Sequence, residues 1–142
     1  MRVYLDNCCF NRPFDDQSQM RIKLESEAKL EIQDRIRKGQ LELAWSYILD
    51  LENSANPFDD RKNAIAEWRD LAKRDTNETP EIIASATELQ SQGLKEKDSL
   101  HLGCAITLEC DQFFTTDEGI LKKRSLISEI AVLNPVEYIM GN

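Results

Sequence analysis

The spacing of apolar residues changes period several times along the chain, and each change marks an element. Residues 2–5 (Arg-Val-Tyr-Leu) form a short β-prone run that stops at an acid, which predicts a buried strand delivering Asp6 to a loop. After the loop-like run Asn11–Asp16, the residues Leu24, Ala28, Ile32 and Ile36 recur every four positions on a charged background. That spacing predicts an amphipathic helix over about 17–38, capped by Gly39, with its cations on a solvated face.

A second apolar segment, 41–46, leads into a helix from Tyr47 that stops near Asn56-Pro57. Residues 59–74 are amphipathic through Ala64, Ile65, Trp68, Leu71 and Ala72, and Thr79-Pro80 opens a further helix that Gly93 closes. These two helices are expected to form a covering hairpin. The stretch 98–109 is apolar on most faces, as in a helix packed deep against a sheet, with Asp98 at its beginning. Gln112-Phe113-Phe114-Thr115 and Ile130-Ala131-Val132-Leu133 read as two last strands, the second stopping before Pro135. Strands alternating with helices imply an α/β fold: a three-layer α/β/α sandwich around a mainly parallel sheet of four or five strands. No linker or repeat divides the 142 residues, so residues 1–142 are expected to form one domain.

Composition narrows the chemistry. The sum of 18 Lys and Arg against 26 Asp and Glu gives −8, which excludes a generally basic nucleic-acid coat; contact with nucleic acid has to be local. No apolar stretch is long enough to cross a membrane, and the acid at position 6 comes too early for a signal peptide, so a cytoplasmic protein is expected. The cysteines at 8, 9, 104 and 110 match neither a zinc knuckle nor a disulfide framework and read as buried thiols. His101 is the only histidine, which removes two-histidine metal sites, and the glycines form neither common phosphate cradle. Trp45 and Trp68 read as core or interface residues.

What remains is carboxylate. In open parallel sheets ligands bind outside the carboxyl ends of the strands, so the useful acids follow strands or begin buried helices. Asp6 and Asp117 follow strands, and Asp98 starts the apolar helix. Glu52 follows the second strand, although Asp50, two residues away, is an alternative for the inward position. Asp98 and Asp117 also suit helix N-caps, whereas Asp6 has no capping role in this reading. Carboxylates converging without basic partners repel, and a hard divalent cation is the usual remedy. An aspartate-based phosphatase expects Asp-x-Asp after the first strand, but position 8 is cysteine.

Four stretches in order carry a family resemblance: Tyr4-Leu5-Asp6-Asn7, Ser46 with Glu52, Asp98-Ser99-Leu100-His101-Leu102, and Phe114-Thr115-Thr116-Asp117. Together they resemble the motifs of PIN domains across nearly the whole chain. At this size the resemblance is to the VapC-like toxins of toxin–antitoxin pairs, which implies an Mg²⁺- or Mn²⁺-dependent endoribonuclease restrained by an antitoxin protein. It implies Asp6, Glu52, Asp98 and Asp117 as catalytic acids, with Asp6, Asp98 and Asp117 holding metal and Glu52 either ligating or holding a metal-bound water. Asn7, Ser46 and Thr115 take supporting positions, and a homodimer is implied by the same likeness. RNA needs a cation beside the acids, for which Arg12 is the expected residue; the clusters around 21–38 and 122–124 read as solvated faces. His101, one turn after Asp98, is expected to be a satisfied buried histidine. The alternative function is a PIN-like module that binds a partner protein with little or no cleavage.

Overall fold

Adjacent side chains in a strand point to opposite faces, yet Val3, Tyr4 and Leu5 of the first strand, β1 (Arg2–Leu5), are all fully buried. Both faces of that strand are therefore covered, as in parallel sheets layered between helices. The structure, a computed structural model, describes residues 1–141. Strands β2 (Glu42–Ala44), β3 (Gln112–Phe114) and β4 (Ala131–Leu133) join β1 in a four-stranded parallel sheet of order β2-β1-β3-β4. The helices are α1 (Asn7–Asn11), α2 (Met20–Arg37), α3 (Tyr47–Ser54), α4 (Asp59–Arg69), α5 (Pro80–Ser91), α6 (Glu96–Thr107), α7 (Glu118–Leu121) and α8 (Pro135–Met140).

Side chains identify the layers. Tyr4 and Phe113 are register partners whose rings stack at 5.4 Å, and Tyr4 meets His101 of α6 edge-on at 5.7 Å, so α6 covers that face. Phe114 meets Tyr138 of α8 edge-on at 5.1 Å, and α8 packs on α2, which places those helices on the other face. The result is the three-layer α/β/α sandwich expected from the alternation, with four strands.

The predicted hairpin of α4 and α5 is not formed. Helix α5 packs along α6, whereas α4 lies against α3 and α1. Gly103 is the reason α5 and α6 approach so closely: a Cβ there would lie 3.0 Å from the Ile82 carbonyl oxygen. Helix α4 also ends at Arg69, five residues before its predicted limit, and α6 begins at Glu96, so Asp98 sits in its first turn rather than at its cap. Helices α1, α7 and α8 have six residues or fewer, too short to produce a periodic signal. Both tryptophans are buried, Trp45 completely.

Helix α2 closes with a Schellman motif: Gln40 N–H donates to the Arg35 carbonyl, Gly39 N–H to that of Ile36, and Gly39 has φ +77°. Helix α6 closes in the same way, with Cys110 N–H on Ala105 and Glu109 N–H on Ile106, but its left-handed residue is Glu109, at φ +57°. A β-carbon in this conformation costs about 1–2 kcal/mol, part of which glycine returns as unfolded-chain entropy. Glu109→Gly is therefore expected to stabilise the protein by about 0.5–1 kcal/mol, read as a higher midpoint in urea unfolding at unchanged slope.

Candidate functional site

At the carboxyl edge of β1 and β3 the chain leaves the sheet toward a cleft of about 460 Å³, lined by Asp6, Asn7, Cys8, Glu52, Lys95, Lys97, Asp98 and Asp117 among others. The acids arrive from four separate elements: Asp6 directly after β1, Glu52 on α3, Asp98 in the first turn of α6 and Asp117 at the start of α7. Asp50, the alternative to Glu52, points away: it accepts from Trp45 Nε1 at 2.9 Å and pairs with Arg69 at 3.5 Å.

Asp6 is the best-connected acid. Its Oδ1 accepts from Asn7 N–H at 2.8 Å, which makes it the N-cap of α1, a role the sequence reading denied it. Its Oδ2 accepts from the Thr115 hydroxyl at 2.9 Å and from the Cys8 thiol at 3.4 Å. Thr115 in turn accepts from Asp117 N–H at 3.0 Å, so one buried hydroxyl links two of the acids. Asp117 caps α7 through Oδ1, accepting from Gly119 N–H at 2.7 Å.

Glu52 is held by His101 and Asn7. The His101 Nε2–H donates to Glu52 Oε1, and Asn7 Nδ2 donates to Oε2 at 3.3 Å. The His101 Nδ1 shares a 2.6 Å hydrogen bond with the Tyr4 hydroxyl, which also meets Ser46 Oγ at 2.6 Å; Ser46 is the N-cap of α3. His101 is therefore satisfied and buried, as expected, and it also faces the acids, with Nε2 3.7 Å from Asp6 Oδ1. Burial pulls the His101 pKa down, but the bond to Glu52 and the charges of Asp6, Glu52 and Asp98 outweigh it, so the net shift is upward. Burial pushes Glu52 up, and the bond and charge of His101 together with Lys97 and Asn7 bring it below its ordinary value.

Asp98 carries the cost of the arrangement. Burial and then the charges of Asp6 and Asp117 raise its carboxyl to about 6, against the opposing pull of His101 and Lys95. The donor set suits a hard divalent cation: several carboxylates, plus the buried Asn7 Oδ1, which has no hydrogen-bond partner. Among the described residues no three His, Cys, Asp or Glu side chains close around a single point.

Arg12 does not line the cleft. It lies 3.2 Å from both Glu25 and Asp15 and donates to Thr116 Oγ1 at 3.0 Å, outside the lining of the acidic cleft. Lys95 and Lys97 are the cations at the rim, both exposed; their sequence signal is the Lys-Glu-Lys-Asp run ending at Asp98. Cys8 is half-buried at the cleft wall, unlike Cys9, Cys104 and Cys110, which are buried. In the expected solvated clusters, Arg124 pairs with Glu137 and Arg21 with Glu25 and Glu118, but Lys29 is buried.

No protein-family model matches the sequence, and no curated protein does. Solved structures do match in fold. The FitAcB structure from Neisseria gonorrhoeae has a TM-score of 0.61 at 18% identity, covering 94% of this chain and 97% of its own. VapBC2 from Rickettsia felis, bound to a DNA fragment from their promoter, gives 0.59 at 14% identity, covering 94% and 98%. VapBC-1 from nontypeable Haemophilus influenzae gives 0.57 at 17%, covering 95% and 98%. The likeness is therefore one of fold, over nearly the full length of each chain. No helix among the described residues is long and apolar enough to cross a membrane.

Proposed function

We propose that the protein is a metal-dependent endoribonuclease of the VapC-like toxin type, restrained by an antitoxin partner. The supporting observation is the convergence of Asp6, Glu52, Asp98 and Asp117 on one cleft at the carboxyl edge of a parallel sheet, with Asp98 raised by burial and then by its acidic neighbours. Neighbours whose names contain VapBC support the same direction, as do the four sequence motifs. In this reading Asp6, Asp98 and Asp117 would hold Mg²⁺ or Mn²⁺, which when bound would supply Lewis-acid activation of water for attack on phosphorus. The chain's own residues supply position: Thr115 aligns Asp6 with Asp117, and His101 and Asn7 fix Glu52 toward the cleft. A homodimer and a cytoplasmic location complete the proposal.

The test is cleavage of single-stranded and hairpin RNAs by purified protein with Mn²⁺, with EDTA, and with Glu52→Gln in parallel. Metal-dependent cutting lost in the variant supports the nuclease. Equal cutting by the variant overturns the assignment, and Mn²⁺ binding without cutting of any RNA favours the partner-binding module.

In a protein of net charge −8, phosphate contacts have to be concentrated at the cleft rim. Replacing both Lys95 and Lys97 by alanine is expected to raise KM about tenfold with little change in kcat. It should also reduce the slope of log KM against log salt by about 1–2, since each lost phosphate contact removes about one unit.

A further inference from the structure

Between α1, α2 and α4 lies another cleft, of about 260 Å³, with no carboxylate in its lining. Its polar groups are Lys29, Gln33 and Arg37, spaced four residues apart on α2, and its walls include Phe10, Ile65 and Trp68. All three polar groups offer donors. Lys29 is 4% exposed and is in no ion pair among the described residues; its Nζ lies 5.3 Å from the Phe10 ring centre and 6.0 Å from that of Trp68. Gln33 is 3% exposed, and its amide Nε2 is buried without an acceptor. The exposed Arg37 guanidinium stacks over Trp68 at 4.6 Å and is in no ion pair among the described residues.

A buried donor without an acceptor loses its hydrogen bonds to water and gains none, so native structures rarely leave one. Here a buried amide donor, a nearly buried amine and an exposed guanidinium line one cleft, and none of them is paired with a carboxylate of the described residues. We infer that this cleft binds a small organic monocarboxylate, its carboxylate held by Lys29, Gln33 and Arg37 and its apolar body seated against Phe10, Ile65 and Trp68. The size and the walls select the class. A multiply charged phosphate ester gives up more hydration than these apolar walls replace, whereas a single planar carboxylate matches the guanidinium and leaves an apolar remainder to bury. The site is separate from the acidic cleft, with no lining residue in common.

Benzoate is the probe and benzamide its uncharged control. In ¹H–¹⁵N spectra of the full chain, benzoate should shift the Gln33 side-chain amide and the Trp68 indole saturably, and benzamide should not. Lys29→Met, a change of similar volume, should weaken binding at least about tenfold, the scale of one charge-assisted hydrogen bond. Gln33→Glu supplies the missing carboxylate from within and should abolish binding in a folded protein. Unsaturable shifts, equal binding of benzamide, or undiminished affinity in folded Lys29→Met would each overturn the assignment.

Discussion

Asp98→Asn is expected to make the protein more stable and to abolish the metal-dependent cleavage proposed for it. The two effects share a cause. Burial, Asp6 and Asp117 hold the Asp98 carboxyl at about 6, so near neutral pH the folded state carries a charge it disfavours. A carboxyl whose folded pKa lies above its unfolded value binds a proton more tightly when folded. Wild-type stability therefore falls as pH rises from about 4 to about 6, and the penalty is complete above that. Asparagine removes it. A two-unit shift corresponds to nearly 3 kcal/mol, but Asp98 is only half buried and solvent screens much of the repulsion, so the expected gain is about 1 kcal/mol at pH 7. The gain should shrink steeply by pH 4 and vanish near pH 3, where Asp98 is protonated in both states.

In the proposed nuclease the same substitution removes an anionic metal ligand. Cleavage is expected to fall by at least about a hundredfold, beyond the typical loss from disturbing an outer partner of a metal site. Addition of Mn²⁺ should raise the melting temperature of the wild type and not of the variant, because a ligand that binds only the native state stabilises it by mass action. Melting curves at pH 4 and 7 with and without Mn²⁺, beside RNA cleavage, read every part of the prediction. A variant less stable than wild type at pH 7 would show that Asp98 is chiefly a fold residue.

Lys29→Met is expected to give the largest gain in stability, and at low pH. Burial drives the Lys29 ammonium down to about 7; Cys9 opposes this and Arg37 adds to it. A lysine depressed in the folded state binds fewer protons there than in the unfolded chain, so stability rises with pH between about 7 and the unfolded value near 10.4. Below 7 the penalty is complete, on the order of 3 kcal/mol once partial access to the cleft is allowed for. Methionine fills a similar volume without the charge. The variant should therefore exceed the wild type most at pH 6, and the difference should close toward pH 10. Urea unfolding at pH 6, 8 and 9.5 measures this, and a pH-independent difference would contradict it.

These predictions rest on residues whose legibility in the sequence differs. Asp6 is readable because a short β-prone run ends on it, and Asp117 for the same reason. That Asp6 also caps α1, and that Thr115 joins it to Asp117, depends on the register of β1 against β3, which places Leu5 beside Phe114. Asp50 and Glu52 lie about 200° apart around one helix, so they cannot both face the cleft. Nothing local chooses between them: Trp45 takes Asp50, and His101, from a helix some fifty residues away, takes Glu52.

Lys29 shows the same limit on α2. The stripe Ala28, Ile32 and Ile36 predicts one buried face, and Lys29 and Gln33 lie just beside it. They become buried because Trp68 of α4 covers that flank as well, which no periodicity within α2 reports. The pairing of α5 with α6 in place of α4 is a third case, where Gly103 permits a backbone approach that a hydrophobic pattern does not encode.

By itself, then, the sequence determined the alternation of strands and helices, the parallel layered architecture and the acids that end strands, because each follows from local periodicity and from the direction of the chain. Only the tertiary structure decided which face of each helix is doubly covered, which of two neighbouring acids turns inward and which cations remain free. Those outcomes depend on contacts between residues far apart in sequence, whose desolvation and pairing energies exceed any local preference.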